Sequence, residues 1–422
     1  MGKQVDAGII KEATERTNKG VMEDAPYWYG THIDKLDFEW SREDKLEIER
    51  CCEKIHKNIA GDEMTPYQRY RALIKGEPKD RQFVFLMGST VTGTQVYNWT
   101  GDVIKPVDLF RNPKLWVKVL LYVQARLGAD TFFGHSISYG EEIWGGRGKM
   151  IDYGQPCSVK NVIKTMEDIE ALQVPDPRQD GLYPGFLWCL REVRRIFDEY
   201  ELTGVVPILG SVCPGLDTMV MMSMMGWGPY LIALRKNPEL CQRATEVALE
   251  WNKRYFEAEI TECKPDWIQM CEFTGAYDIR PYTWLADYLL ELAKYVKGLS
   301  PETHIHFGTA SYDKYFDWMD VMQEHGGVGP DTFDGGLTGN EPWEKLKKMI
   351  DYHREHKLYY TASLPDEIMS KGSISDIEEA TKELCDYSKS NLKYAPSAYA
   401  DFWAPTANLE AFIIAAKKYG KY

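Results

Sequence analysis

The chain has 422 residues, of which 50 are Lys or Arg and 64 are Asp or Glu, so its formal net charge at pH 7 is −14. This acidic balance argues against a nucleic-acid surface, which needs clustered basic residues, and favours small-molecule or protein partners. Hydrophobic residues make up 44% and charged residues 27%. These proportions are typical of globular proteins and exclude general disorder.

Nine cysteines are scattered along the chain, and no CxxC pair occurs. In a long chain this pattern is typical of reduced thiols rather than of a disulfide framework. No apolar run reaches the roughly 18 residues that a membrane span requires, and the N-terminal sequence lacks the apolar core of a signal peptide. We therefore expect a cytoplasmic protein that has no membrane segment.

Residues 1–62 are polar and charged, and we expect them to form an N-terminal extension that is partly helical. Ser41 followed by Asp44 has the spacing of a capping box and predicts that a helix begins there. The extension either decorates the domain or forms a subunit contact, so a homodimer is one expected arrangement. Residues 63–422 are expected to form the main domain.

From residue 81 onward, strand patterns alternate with helical patterns. The predicted strands cover residues 82–88, 130–136, 205–212, 266–273, 303–310, 331–336, 357–364 and 393–400. Such alternation predicts parallel strands joined by right-handed helical crossovers. Eight units, without a glycine-rich phosphate-binding motif, favour a closed (β/α)₈ TIM barrel of the α/β class over a doubly wound sheet.

Several polar residues outside the predicted strands are expected to face solvent. A polar insertion after the second strand, at residues 141–160, predicts a hairpin or a lid at the barrel mouth, and its Glu141 and Glu142 are expected to be solvated. His353 and His356 have helical spacing beside charged residues and predict a solvated helix end.

Two histidines on the fifth predicted strand form the sharpest candidate site. His304 and His306 are two residues apart, so both imidazoles face the same side of a strand. Two neutral imidazoles provide half of a site for Zn²⁺ or Fe²⁺, although a hydrogen-bonded pair without metal is the alternative. At the carboxyl end of a barrel strand they would meet Glu272 from the preceding strand as a third ligand. Cys271 and Cys213 are further candidates for that ligand.

The order of several segments resembles the uroporphyrinogen decarboxylase superfamily over about residues 64 to 420. The resemblance rests on MTPYQRYRALIKGEPKDRQFVFLMG, LGADTFFG, GSVCPG, LRKNPEL, DWIQMCEFTG, THIHFGTA, YYTASLPDEIMSKGSISDIEEATKEL and APSAYADFWAPTANLEAFI. This superfamily includes corrinoid-dependent and coenzyme M methyltransferases. The resemblance implies a (β/α)₈ barrel.

Two features of the decarboxylases themselves are missing. Their first strand is followed by an arginine that holds propionate carboxylates, whereas this chain has Met87–Thr90 at that position. Their catalytic aspartate would fall around His135–Ile137, where no Asp occurs. Both differences speak against porphyrinogen decarboxylation.

The zinc methyltransferases of the superfamily carry His-x-Cys and a late Cys. Here His304 and His306 match the first pair with a second histidine, and Ser397–Ala398 stand where the late cysteine would fall. Imidazole and carboxylate ligands make a harder ion than thiolates and suit an oxygen leaving group. The resemblance then implies an O-demethylase methyltransferase. Such an enzyme moves a methyl group from a methoxylated small molecule, which can be aromatic, to the Co(I) corrinoid carried by a partner protein.

In the first hypothesis, His304 and His306 bind Zn²⁺ and Glu272 completes or orients the site. Asp334 and His135 would contact the substrate or deliver a proton to the departing oxygen. The alternative is a divergent, metal-independent decarboxylase of the same superfamily. A metal-dependent hydrolase fits less well, because the amidohydrolase HxH lies on the first strand rather than the fifth. A binding role without catalysis is the remaining alternative.

Overall fold

The computed structural model describes residues 18, 20–88, 90–98, 104–132, 140–152, 157–160, 163–272, 278–309, 315–327, 335–338, 342–400 and 404–422. Some positions next to the gaps are described by their backbone alone: 87–88, 90–92, 157–160, 211–214, 271–272, 307–309, 335–338 and 399–400.

In this part of the chain the strands are β1 (Val21–Glu23), β2 (Phe85–Gly88), β3 (Arg147–Lys149), β4 (Cys157–Lys160), β5 (Leu209–Pro214), β6 (Trp267–Glu272), β7 (His304–Thr309), β8 (Gly335–Thr338), β9 (Tyr359–Ser363) and β10 (Tyr394–Ala400). The helices are α1 (Arg42–Ile59), α2 (Pro66–Lys75), α3 (Thr90–Tyr97), α4 (Pro106–Arg111), α5 (Pro113–Leu127), α6 (Met166–Glu170), α7 (Tyr183–Glu199), α8 (Leu216–Met219), α9 (Trp227–Lys236), α10 (Pro238–Cys263), α11 (Trp284–Leu299), α12 (Tyr315–Glu324), α13 (Trp343–Glu355), α14 (Asp366–Lys371), α15 (Ile374–Ser388) and α16 (Thr406–Tyr419). No helix within the described ranges combines the length and apolar character needed to cross a membrane.

Seven of these strands form one parallel sheet in the order β2-β10-β9-β8-β7-β6-β5. Six of the seven are adjacent in chain order, and helices connect them, as expected for βα units whose crossovers return to the same edge. The predicted α/β class is therefore confirmed.

The second predicted strand is represented by a short segment between the two edges of this sheet. The N–H of Asp130 donates to the carbonyl of Val84, just before β2. The N–H of Phe132 donates to the carbonyl of Pro207, and the N–H of Leu209 donates back to Phe132. The segment thus contacts chain next to both edge strands, whereas closure into an eight-stranded barrel stays a prediction.

Buried ion pairs hold this junction together. The Asp130 carboxylate lies 2.5 Å from Arg81 and 3.2 Å from Arg69 of α2, and it accepts the N–H of Val84 at 2.8 Å. Burial alone would raise the pKa of Asp130, but the two guanidinium groups outweigh it and lower that pKa to about 2. The network joins α2, the start of β2 and the second-strand segment.

The N-terminal extension is helical where the capping box predicted it. The hydroxyl of Ser41 accepts the N–H of Asp44, and the Asp44 side chain accepts the N–H of Ser41. This reciprocal pair satisfies two of the N–H groups that every helix start leaves without a partner. The predicted start of α1 is confirmed.

The insertion contains the predicted hairpin, since β3 and β4 pair antiparallel and β1 adds to β3. The expectation that Glu141 and Glu142 are solvated is wrong, because both are buried. A Cβ added at Gly148 or Gly181 would lie 3.1 or 2.9 Å from a carboxylate oxygen of Glu142. The lack of a side chain at these two glycines thus leaves room for the buried carboxylate of Glu142, which the polar sequence around it had predicted to face solvent.

The expectation for His353 is also wrong, although His356 is exposed as predicted. His353 is buried and stacks on Tyr360, with ring centroids 4.1 Å apart, and it shares a hydrogen bond with the hydroxyl of Tyr315. Burial lowers the pKa of His353 to about 3. The side chain of His353 lies on the buried face of α13 together with Met349. The neighbouring charged residues in the sequence gave no sign of this burial.

Asp130→Asn should destabilise the fold, because it leaves Arg69 and Arg81 with one buried negative charge fewer. Breaking one side of a buried ion pair costs about 3–5 kcal/mol, and we expect that loss in the free energy of urea unfolding at pH 7. Since the pKa of Asp130 is about 2 against an ordinary 3.8, the difference from wild type should shrink as pH falls below about 4.

Asp62→Asn is the matched control. Asp62 pairs with the same two arginines, but its side chain is 26% exposed, so we expect a loss below about 1 kcal/mol. Equal losses in the two variants would contradict a special role for Asp130.

Glu142→Gln should stabilise the protein at alkaline pH. Burial raises the pKa of Glu142 from 4.5 to about 7, so the wild type loses stability as pH rises through this window, because the folded state must then ionise a buried carboxyl. At pH 8 we expect the variant to exceed wild type by up to about 3 kcal/mol, and at pH 4 to show no such gain. Thermal melts at both pH values measure this, with exposed Glu170→Gln as control. A gain that does not depend on pH would refute the explanation.

Candidate active site

Aromatic side chains fill the inner face of the curled sheet near the amino ends of its strands. The ring of Trp267 lies 5.1 Å from Phe85 and 5.1 Å from Tyr70, with Phe83 and Tyr359 within 6.1 Å. We call these five residues the aromatic floor. Trp267 belongs to β6 and Phe85 to β2, and four strands separate the two in the sheet order. Their contact shows that the sheet curls until distant strands face one another.

His304 and His306 are buried on this inner face. Their rings lie on the same side of β7, with centroids 6.4 Å apart, as the two-residue spacing predicts. They are nevertheless the first and third residues of β7, and His304 pairs in register with Trp267, the first residue of β6. The expectation that they stand at the carboxyl end of the strand is wrong, because β7 continues to Thr309.

The two imidazoles differ in their surroundings. His304 packs within the aromatic floor, 5.3 Å from Tyr359 and 6.4 Å from Tyr70 between ring centroids. His306 stacks on Tyr359 at 6.0 Å and meets Phe85 at 6.2 Å. Burial, with a smaller contribution from His304, holds the pKa of His306 well below its usual value. His306 is therefore a neutral imidazole at pH 7, the form that binds metals and exchanges hydrogen bonds with ligands.

Four buried polar side chains lie above the floor, and we call Gln269, His306, Ser363 and Ser397 the polar layer. Each is at most 2% exposed. Both amide atoms of Gln269, both ring nitrogens of His306 and the two serine hydroxyls have no hydrogen-bond partner in the described part of the chain. Because an unsatisfied buried polar group costs about 1–3 kcal/mol, such a cluster indicates a site that a bound species completes.

The members of the polar layer are neighbours across the sheet. Gln269 pairs in register with His306, and Ser397 pairs with both Ser363 and Phe85. The ring contact between Phe85 and His306 links the two pairs across the inner face. The layer therefore consists of two register pairs with Phe85 between them.

The other predicted site residues are placed only in part. Glu272 ends β6, and its side chain lies outside the described residues, as do His135 and Asp334 altogether. Along β6, Glu272 comes five residues after the register partner of His304 and three after that of His306. At about 3.3 Å per residue these separations are about 17 and 10 Å. His304 is thus too distant to share one ion with Glu272. The shorter separation leaves His306 a candidate, but alternation along β6 predicts Cys271, rather than Glu272, on the face that Gln269 shares with His306.

Cys213 and Cys271 are described by their backbone alone, in β5 and β6. Within the described ranges, no group of three or more His, Cys, Asp or Glu residues is arranged to hold a metal ion. The donors fit half of a zinc site, in which His306 is the better placed imidazole. Any further ligand comes from side chains outside those ranges, so the zinc site stays a prediction.

Sequence reasoning did not single out Gln269, and it named Ser397 only as the position of a missing cysteine. A signal for Gln269 was present in the strand DWIQMCEF. Its neighbours Ile268 and Met270 pack into the outer core, whereas Trp267 belongs to the inner cluster. By alternation Gln269 faces inward, and a lone amide on that face is a candidate ligand-binding group.

Comparison with known proteins gives the family and the fold. Residues 65–419 match the family described as uroporphyrinogen decarboxylase (URO-D). Curated uroporphyrinogen decarboxylases from Pseudomonas aeruginosa and Trichlorobacter lovleyi are 32% and 28% identical over 147 and 137 residues. These matches cover 33% and 32% of this chain and only 38% and 37% of the two relatives.

Among solved structures, the fold is similar to a methyltransferase from Methanosarcina mazei, with a TM-score of 0.66 and 20% sequence identity. The superposition covers 85% of this chain and 99% of that one. At this level of identity, the structural similarity shows a shared fold and does not identify the reaction. On the match over residues 65–419, the chain belongs to the uroporphyrinogen decarboxylase family.

Proposed function

We propose that this protein is a methyltransferase that moves a methyl group from a methoxylated substrate, such as a methoxylated aromatic compound, to the Co(I) corrinoid of a partner protein. The polar layer is the observation that carries the proposal, because it offers neutral hydrogen-bonding atoms at the centre of the fold. The similarity of the fold to a protein described as a methyltransferase supports it.

Decarboxylation of a porphyrinogen is the competing reaction, and the family name favours it. That substrate carries several carboxylates, which need cations when they are bound away from water. The buried arginines Arg69 and Arg81 are committed to Asp130 and its neighbours. The side chains of the polar layer are an amide, an imidazole and two hydroxyls, and the rings of Phe85 and Tyr359 pack against His306. This environment favours an uncharged substrate.

Methyl transfer to Co(I) balances without a further oxidant or reductant. The electron pair of Co(I) forms the Co–CH₃ bond, the O–CH₃ bond breaks, and its electron pair stays on the oxygen. That oxygen then takes a proton and leaves as a hydroxyl group. The protein must align the methyl group with the cobalt, exclude water and stabilise the departing oxygen.

We assign these tasks to groups at the centre and at the carboxyl ends of the strands. Gln269 and His306 of the polar layer would hold the substrate by hydrogen bonds. Glu272 ends β6 and His135 follows the second-strand segment in sequence, toward the carboxyl ends where barrel enzymes place their chemistry, whereas Asp334 directly precedes β8. In this proposal they contact the substrate or deliver the proton to the departing oxygen.

Zn²⁺ belongs to the same proposal. Of the two histidines, His306 has the buried neutral imidazole that fits a ligand, and Cys271 or Glu272 at the end of β6 would complete the set. When bound, such an ion polarises the oxygen from which the methyl group leaves.

A closed eight-stranded barrel and a cytoplasmic location complete the proposal. The Asp130–Phe132 segment, which contacts both sides of the gap between β2 and β5, supports closure. The six cysteines whose side chains are described form no disulfide bonds, which is compatible with the reducing environment that Co(I) requires.

Methyl transfer can be tested with free cob(I)alamin in place of the partner-held corrinoid. With 2-methoxyphenol we expect methylcobalamin and 1,2-dihydroxybenzene in equal amounts. His306→Ala should lower the rate at least about 100-fold, the range seen when a transition-state contact is removed. His356→Ala, at an exposed helix end, should leave the rate unchanged. Release of CO₂ from a porphyrinogen, without any methyl transfer, would favour the decarboxylase instead.

Metal analysis tests the zinc site separately. We expect about one equivalent of zinc per chain after anaerobic reconstitution, and its loss in His306→Ala, since this residue supplies the imidazole ligand. His304→Ala should retain the metal, because His304 packs in the aromatic floor too far from Glu272 to share an ion. Absence of metal from the reconstituted wild type, or its retention in His306→Ala, would refute this assignment.

A further inference from the structure

The polar layer also restricts the chemical group that enters it. Resting on the proposed function, we propose that the buried end of the substrate is an uncharged hydroxyl group. We assign to Gln269 the selection of this hydroxyl over a carboxylate. The inference concerns substrate class and does not depend on a metal.

The hydrogen-bonding groups of the layer match a hydroxyl. Gln269 presents two N–H donors and one carbonyl acceptor, and the hydroxyls of Ser363 and Ser397 each donate and accept. A ligand hydroxyl also donates once and accepts, so it can pair with both halves of the amide. A carboxylate only accepts, so it would leave the carbonyl oxygen of Gln269 unpaired or facing a negative charge.

Charge works in the same direction. A carboxylate that leaves water needs a cationic partner. The arginines buried beneath the floor already hold three carboxylates between them, since Arg69 and Arg81 pair with Asp62, Asp80 and Asp130.

Gln269 is in position to act as the selecting residue. Its backbone is fixed in β6 two residues after Trp267, where it pairs in register with His306, and its side chain is fully buried. No described group ties down either amide atom, so the amide is available to a ligand. A pocket whose buried amide must be satisfied rejects a ligand that cannot pair with it far more strongly than an apolar pocket would.

The test measures binding of two matched probes to the metal-free protein at pH 7 by calorimetry, without corrinoid. 2-Methoxyphenol is uncharged at this pH, since a phenol ionises near pH 10, and 2-methoxybenzoate has a similar size and carries a negative charge. Wild type should bind the phenol at least about tenfold more tightly than the benzoate, as expected when a site hydrogen-bonds its ligand. Gln269→Leu should remove most of this preference by weakening binding of the phenol.

Two further variants make the result interpretable. Ser397→Ala removes a single hydroxyl and should weaken binding of the phenol several-fold, which keeps the test open if Gln269→Leu does not fold. Gln323→Leu changes an exposed glutamine and should have no effect. Thermal melts check the folding of each variant.

The proposal is overturned if wild type binds both probes equally or binds neither, or if Gln269→Leu and Ser397→Ala both keep the affinity for the phenol. The binding test contains no corrinoid, so its result does not depend on whether the protein transfers methyl groups. Conversely, methyl transfer from both probes at equal affinity would refute this inference and leave the proposed function standing.

Discussion

The carboxylate of Asp130 joins parts of the chain that the rest of the structure needs close together. It pairs with Arg69 of α2 and with Arg81 before β2, and it caps the N–H of Val84. The C-terminal end meets the same place, where the N–H of Gln82 donates to Gly420. A buried charge is stable only with such partners, so the network fixes one relative position of these segments and thereby the curl of the sheet.

The curl has a direct consequence for the site. It brings Phe85 of β2 against Trp267 of β6 and builds a floor of packed rings. Above that floor, Gln269 and His306 are held on rigid strands in surroundings that exclude water. Groups positioned in this way bind a ligand with little loss of side-chain freedom. The dry, uncharged environment links the fold to the proposed chemistry, because it favours a neutral ether over a substrate with several carboxylates.

Periodicity and capping chemistry predicted most of the backbone, because both are local properties of the sequence. Seven of the eight predicted strands appear in the parallel sheet, and the start of α1 was correct. The two-residue spacing also placed His304 and His306 on one face. The spacing did not predict how far along the strand they lie, because that depends on where β7 begins and ends. The burial of Glu142 and His353 and the role of Gln269 were missed, because contacts between segments distant in sequence create them.

A crystal structure of the reconstituted protein with 2-methoxyphenol, with data collected at the zinc absorption edge, would locate both the ligand and the metal. We expect the ligand hydroxyl within hydrogen-bond distance of the Gln269 amide, with the anomalous peak beside His306 rather than His304. A ligand bound outside the sheet, with the polar layer occupied by water alone, would contradict the assignment of this layer as the active site.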